Sequence, residues 1–204
     1  MKKITKIAAT FAATMAILFG AASCSHDGGA SLAALGKEEG GDKKPGSVTP
    51  TAKTYTLEAS ALTASDIDTS DDGKTTEVGT SKYFTIYWSK NMDVSESSKS
   101  WDDGYSSAKR IKMNGKWTGD KQFIKFTTTK AATVKVWWVS GGDERTIDIA
   151  KYTGSTPSTA VASDGANCKS GETLISTFNL TEAGTWALGC AVNGNYIYKV
   201  EVTE

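Results

Sequence analysis

The sequence predicts an all-β protein, an antiparallel β-sandwich of jelly-roll type, and three observations carry that expectation. Apolar and aromatic residues come in short runs of strand length, several of them alternating, and long helical stripes are few. Turn chemistry separates the runs, as at Asp72-Gly73, Asp103-Gly104, Gly141-Gly142 and Asn193-Gly194. All six tryptophans and all seven tyrosines fall between Tyr55 and Glu204, so one stretch of chain holds enough large apolar surface for a core. A β-barrel is the alternative closure of the same strands.

The N-terminus is expected to be removed. Residues 1–23 combine Lys2, Lys3 and Lys6 with an apolar run from Ile7 to Phe19 that is too short to span a bilayer comfortably, the pattern of a secretory signal peptide. Ala21, Ala22 and Ser23 before Cys24 resemble a bacterial lipobox, although the usual leucine three residues before the cysteine is missing. The expectation is a lipid-anchored Cys24; an ordinary signal-peptidase cut after Ser23 is the alternative. Cleavage takes three lysines and no acid from a chain of 23 basic and 23 acidic residues, leaving 20 against 23. A mildly acidic exported protein is no candidate for nucleic acid, which wants a strongly basic face.

Residues 24–54 are expected to form a disordered linker behind the anchor. Ser25 to Thr54 is rich in glycine, lysine, acids and proline and has no Phe, Trp or Tyr, so it cannot bury enough surface to fold. A flexible chain of that length reaches roughly 30 Å. A short helix around "ASLAALGKEE" is the alternative.

The domain spans 55–204, and its strands read off in order. "TYTLEAS" (54–60) is expected as a first edge strand. It is followed by "YFTIYWS" (83–89), "RIKM" (110–113), "QFIKFTTT" (122–129), "TVKVWWV" (133–139), "TIDIAKY" (146–152), "TLISTFNL" (173–180), "GTWALGCAV" (184–192) and "YIYKVEV" (196–202). Cys168 and Cys190, in an oxidising compartment, either close a disulfide that stabilises by roughly 3 kcal/mol or leave Cys190 as a small core residue.

Side-chain parity locates the candidate site. Val134, Val136 and Trp138 share one face of a strand and assign Trp138 to the core, which sends Trp137 outward beside Lys135. Ile111 and Met113 facing in set Arg110 and Lys112 facing out. Ile124 and Phe126 facing in set Lys125 out, on a strand expected to neighbour the tryptophan strand. The expectation is one basic, tryptophan-bearing sheet face able to read successive acidic sugars. The alternative is a Trp137 covered by a loop and lysines that are merely solvated.

The runs "SWDDGYSSAKRIKMNG", "FIKFTTTKAATVKVWWVSGGDERTIDI", "ISTFNLTEAGTWALG" and "NYIYKVEVTE" resemble the small β-sandwich, carbohydrate-binding modules appended to secreted bacterial pectate lyases and related polysaccharide-degrading enzymes. The resemblance covers 55–204. It implies a polysaccharide ligand whose galacturonate carboxylates are held by basic side chains, and it singles out Lys109, Arg110, Lys112, Arg145 and, before Asp-Gly, Trp101. No lyase domain is expected after Glu204, so the module works alone at the surface or serves another ligand.

Catalysis is not expected. The single histidine, His26, sits beside the anchor, so no histidine relay can be built in the domain. The acidic pairs Asp71-Asp72, Asp102-Asp103 and Asp143-Glu144 all lie beside glycines, where acids make turns. No cofactor is expected; the one metal reading is calcium in the oxygen-rich "DIDTSDDG" (66–73), whose spacing does not match an EF-hand loop. The first functional expectation is therefore a surface-tethered glycan-binding lipoprotein for acidic polysaccharide. The second is a structural or adhesin-like envelope lipoprotein that binds protein.

Overall fold

The computed structural model describes residues 51–204; the expected signal peptide, Cys24, His26 and the expected linker up to position 50 lie outside the described residues. The domain is all-β, with twelve strands: β1 (Thr54–Glu58), β2 (Thr75–Val78), β3 (Phe84–Tyr87), β4 (Met92–Ser100), β5 (Ser106–Met113), β6 (Phe123–Thr128), β7 (Ala132–Val139), β8 (Ile147–Tyr152), β9 (Pro157–Asp164), β10 (Thr173–Leu180), β11 (Gly184–Gly189) and β12 (Tyr196–Thr203). Only short 3-10 turns accompany them.

The strands form two separate antiparallel sheets, a sandwich and not a barrel. Sheet one runs β10-β7-β12-β5-β4, with β1 also paired to β12; sheet two runs β2-β3-β6-β11-β8-β9. Only β2–β3, β4–β5 and β8–β9 are hairpins within a sheet, and every other connection crosses the core as in a jelly roll. Three strands escape the sequence reading, namely β2, β4 and β9.

The core lies between the sheets and follows the period of two. Val134, Val136 and Trp138 of β7 are fully buried, as their parity predicts, and face Ile124 and Phe126 of β6 and Ile149 of β8 across the sandwich. Each core indole satisfies its N–H on a nearby hydroxyl: Trp138 on Ser176 at 2.8 Å, Trp88 on Thr76 at 3.1 Å and Trp186 on Thr128 at 3.1 Å. That avoids leaving a buried donor unpaired, a cost of about 1–3 kcal/mol. The ends of the domain are bonded to each other. Lys53 and Glu204 exchange both main-chain hydrogen bonds, at 2.8 and 2.9 Å, and the Glu204 carboxylate accepts the Thr129 amide and hydroxyl.

Several expectations are corrected by this architecture. Strand β6 pairs with β3 and β11 and lies in sheet two, whereas β7 pairs with β10 and β12 in sheet one, so Lys125 and Lys135 occupy different sheets. Cys168 and Cys190 are both free and buried. The Cys168 thiol bonds Ser140 Oγ and the Arg145 carbonyl, each at 3.1 Å, and burial pushes the Cys190 thiol up to about 12. The carboxylates of 66–73 do not converge into a calcium cage. Asp66 bonds Thr63, Asp68 bonds Ser70, Asp71 pairs with Lys90 at 3.2 Å and Asp72 with Lys121 at 2.6 Å.

Candidate functional site

The outer face of sheet one is built by two bulges. In the β4–β5 hairpin the register slips between Glu96 and Lys99, and in β12 it slips between Ile197 and Lys199. A bulge bends and twists its strand. The β12 bulge buries Tyr198 in the outer-face cluster and the β4 bulge meets it, the Tyr198 hydroxyl lying 3.0 Å from Ser97 Oγ. The hairpin tip, residues 101–105, thereby folds over the sheet. Trp101 Nε1 donates to the Leu174 carbonyl of β10 at 3.0 Å, so the arm reaches across β12 and β7 to the far edge strand.

Trp137 lies under that arm. It points away from the core, as its parity requires, yet it is only 3% exposed. It forms a second apolar cluster with Trp101, Val139 and Tyr198, flanked by Tyr105, Ile175 and Tyr196. Its Nε1 donates to Asp103 Oδ2 at 2.9 Å, and Lys135 Nζ donates to the same oxygen at 3.1 Å. The ammonium groups of Lys135 and Lys199 each sit 4.4 Å from the Trp137 ring, a cation–π clasp on the indole. Although burial works against its charge, the Tyr105 amide, the Trp137 indole and the Lys135 ammonium hold the Asp103 carboxyl below the usual carboxylate range. The open tryptophan platform expected here is thus corrected: Trp101 and Trp137 are interior residues of a small outer core.

The remaining sequence-derived candidates separate. Lys109 pairs with Glu96 at 3.8 Å across the hairpin. Arg145 is a strut in the loops: its Nη1 donates to the Gly194 carbonyl at 2.5 Å, and it packs so closely on Gly141 and Gly142 that a Cβ at either glycine would meet the guanidinium. Arg110 and Lys112 do project from the outer face of β5, with Ile111 and Met113 buried beneath. The Arg110 guanidinium lies 4.0 Å from the Tyr196 ring and its Nε donates to Ser95 Oγ at 3.3 Å. Among the described residues neither Arg110 nor Lys112 has an ion pair.

The outer face of sheet two is of a different kind. Its floor is small: Ala187 of β11 lies between Lys125 of β6 and Ala150 of β8, and Gly189 lies between Phe123 and Asp148. On it rest Tyr87, stacked on Phe123 at 4.3 Å and 16°, and Tyr152, whose ring is 5.5 Å from Phe123 and 5.9 Å from Tyr87. Tyr152 follows Lys151, which pairs with Trp186, whereas Phe123 pairs with Gly189. Its ring therefore reaches along the sheet across the alanines, which accounts for their burial. Gly189 is tightly covered, since a Cβ would stand 3.1 Å from the Gln122 carbonyl oxygen and 3.2 Å from the Trp117 ring of the β5–β6 loop. Lys125 Nζ donates to the Tyr87 hydroxyl at 3.2 Å and lies 5.4 and 5.7 Å from the Tyr87 and Tyr152 rings. Burial, then a hydrogen bond with the Tyr87 hydroxyl, raises the Tyr152 phenol to about 12, so it remains a donor at neutral pH.

Sequence reasoning missed Tyr87, Phe123 and Tyr152, though parity marks them: with Phe84 and Ile86 facing in, Tyr87 must face out. A cleft of about 480 Å3 between the β1 and β2 regions, lined among others by Glu58, Asp66, Glu77 and Lys82, lies apart from Lys125 and Arg110. Among the described residues, no three acidic, cysteine or histidine side chains converge on a metal-sized centre.

No family model and no curated protein matches the chain. Among solved structures, a chain described for the Ruminococcus flavefaciens cellulosome and its expansion in glycan recognition is 14% identical with a TM-score of 0.41, covering 76% of this chain and 96% of its own. The C-terminal CBM6 of LamC, a marine laminarinase from Zobellia galactanivorans, is 10% identical with a TM-score of 0.30, covering 74% of this chain and 100% of its own. Both likenesses are too loose to transfer a residue or a ligand to this protein.

Proposed function

We propose that the protein is a non-catalytic glycan-binding lipoprotein of the bacterial cell envelope, held at a membrane through lipid on Cys24, with an acidic, pectin-like polysaccharide as ligand. The observation that carries this reading is Arg110. Its guanidinium sits over the Tyr196 ring at 4.0 Å from the centroid and is tied through Nε to Ser95, with no ion pair among the described residues. A guanidinium ordered in this way is prepared for bidentate recognition of a carboxylate and loses little freedom on binding. Lys112 is the next outward residue on the same strand, roughly 7 Å away, a spacing that lets two cations meet successive acidic sugars. Affinity electrophoresis tests the reading: retardation by polygalacturonate but not by neutral glycans, weakened by Arg110→Ala, is the expected result, and mobility unchanged on every glycan sinks it. Cys24 is tested separately, by detergent-phase partition of the wild type and release of a Cys24→Ala form.

One observation favours the second reading, an envelope lipoprotein that binds protein or spaces other modules. Trp137 is closed under the arm and the cations are divided between two sheets, so no broad basic and aromatic platform exists on sheet one. Retention of Arg110→Ala on polygalacturonate at wild-type strength would move the balance to that reading.

A further inference from the structure

We infer that the outer face of sheet two is a second acidic-sugar site, in which a pyranose ring packs into the angle between the Tyr87 and Tyr152 rings and presents a carboxylate or sulfate to the Lys125 ammonium. Two observations converge on it. Over the floor of Ala150, Ala187 and Gly189 stand the half-buried Tyr87 and Tyr152 rings, 5.9 Å apart and tilted by 49° to each other, apolar faces of the sort that pack on the C–H face of a sugar. Lys125 is half-buried beside those rings and, among the described residues, has no carboxylate partner, so its charge calls for an anion that the domain does not supply.

The inference rests on the acidic-glycan reading but not on the Arg110 ledge. Arg110 and Lys125 sit on opposite sheets of the sandwich, so the two sites face away from each other and one molecule can join two glycan segments. A module with both sites cross-bridges an acidic gel as well as adhering to it, and gains avidity wherever one chain reaches both faces.

Calorimetry on the detergent-solubilised full chain, titrated with trigalacturonate and in parallel with a sulfated galactobiose, tests this. Two ligands per chain are expected for the wild type. Lys125→Ala and Tyr152→Ala should each weaken the same one of the two sites, and the double change Arg110→Ala, Lys112→Ala the other, each ion contact accounting for up to about fivefold in affinity. The ligand whose second equivalent depends on Lys125 names the anion. Because Tyr152→Ala could loosen the sheet, hydroxyl-radical footprinting of the wild type supplies a reading free of mutation: Tyr87 and Tyr152 should be protected by the ligand. A single site abolished by the Arg110, Lys112 change, with protection confined to Tyr196, overturns this inference and leaves the glycan reading standing. No uptake of either ligand overturns both.

Discussion

The two outer faces of the sandwich begin from the same local signal, an aromatic residue at the off-core position of a strand, and end as opposites. On sheet one, Trp137 is roofed by the bulged β4–β5 arm, whose Trp101 and Asp103 close over it. On sheet two, the Tyr87 and Tyr152 rings lie over alanine and glycine and are half-buried, and among the described residues no hairpin arm of the sandwich folds back over them. Strand parity decides that a side chain leaves the core; it does not decide whether that side chain meets water. That depends on whether a hairpin elsewhere is long and bent enough to fold back, a tertiary property.

Substitutions should separate the faces. Trp137→Ala empties the middle of a closed cluster and is expected to cost about 3–5 kcal/mol, lowering Tm by on the order of 10 °C in a thermal melt. Tyr152→Ala, at a half-buried ring, should cost distinctly less. Equal losses would erase the contrast between a roofed face and an open one. Next in size is Asp103→Asn, which weakens the clasp on Trp137 and Lys135. With the carboxylate 30% exposed, solvent screening leaves an effect of about 1 kcal/mol.

Asp103 also gives the arm a pH dependence with a defined sign. Its carboxyl is held low in the folded state, so its stabilising contribution is complete above the unfolded value of about 3.9 and disappears as pH falls through the lower folded value. Tryptophan emission should therefore shift to the red at the acid end of that window in the wild type, and Asp103→Asn should lack the step. An arm that opens near neutral pH would show that something other than Asp103 holds it.

Arg110→Ala should leave the melt nearly unchanged while weakening polygalacturonate binding by no more than about 1 kcal/mol. The loss should be salt-dependent, fading toward molar salt, where the screening length is roughly 3 Å. Smallest of all is the effect of reductant. With Cys168 and Cys190 both free, dithiothreitol should not move the melting curve, and a drop of several degrees would mean that the pair is bonded in the purified protein.

What the sequence disclosed divides along physical lines. Interior strands such as β7, β6 and β12 were legible because burial on the core side imposes strict alternation, and Val134, Val136 and Trp138 took the places it predicts. The three strands that escaped, β2, β4 and β9, are all sheet edges. An edge strand packs on fewer neighbours, so "TTEV", "MDVSESSKS" and "PSTAVASD" carry little apolar pattern. For the candidate site, the outward direction of Arg110, Lys112 and Lys125 was readable. Which sheet held Lys125 was not, because β6 and β7 are consecutive in the chain yet cross the core between them. The roof over Trp137 was hidden for a related reason: its partner Asp103 lies 34 residues away, and the bulges that bring it back leave no mark in residue type.

The bonded ends of the domain have a consequence of their own. Since Lys53 and Glu204 are held together by two main-chain hydrogen bonds, the stretch from Lys53 to Glu204 is nearly a closed ring, with its opening at one strand pair. Joining those ends with a few residues and cutting at the exposed Gly154–Ser155 turn should give a circular permutant that keeps both sheets, since domains whose termini lie close tolerate such reconnection. The same proximity lets the whole unit be spliced into a surface loop of another protein without parting the host's own strands, so the module can be moved between hosts as an insertion as readily as an end-to-end fusion.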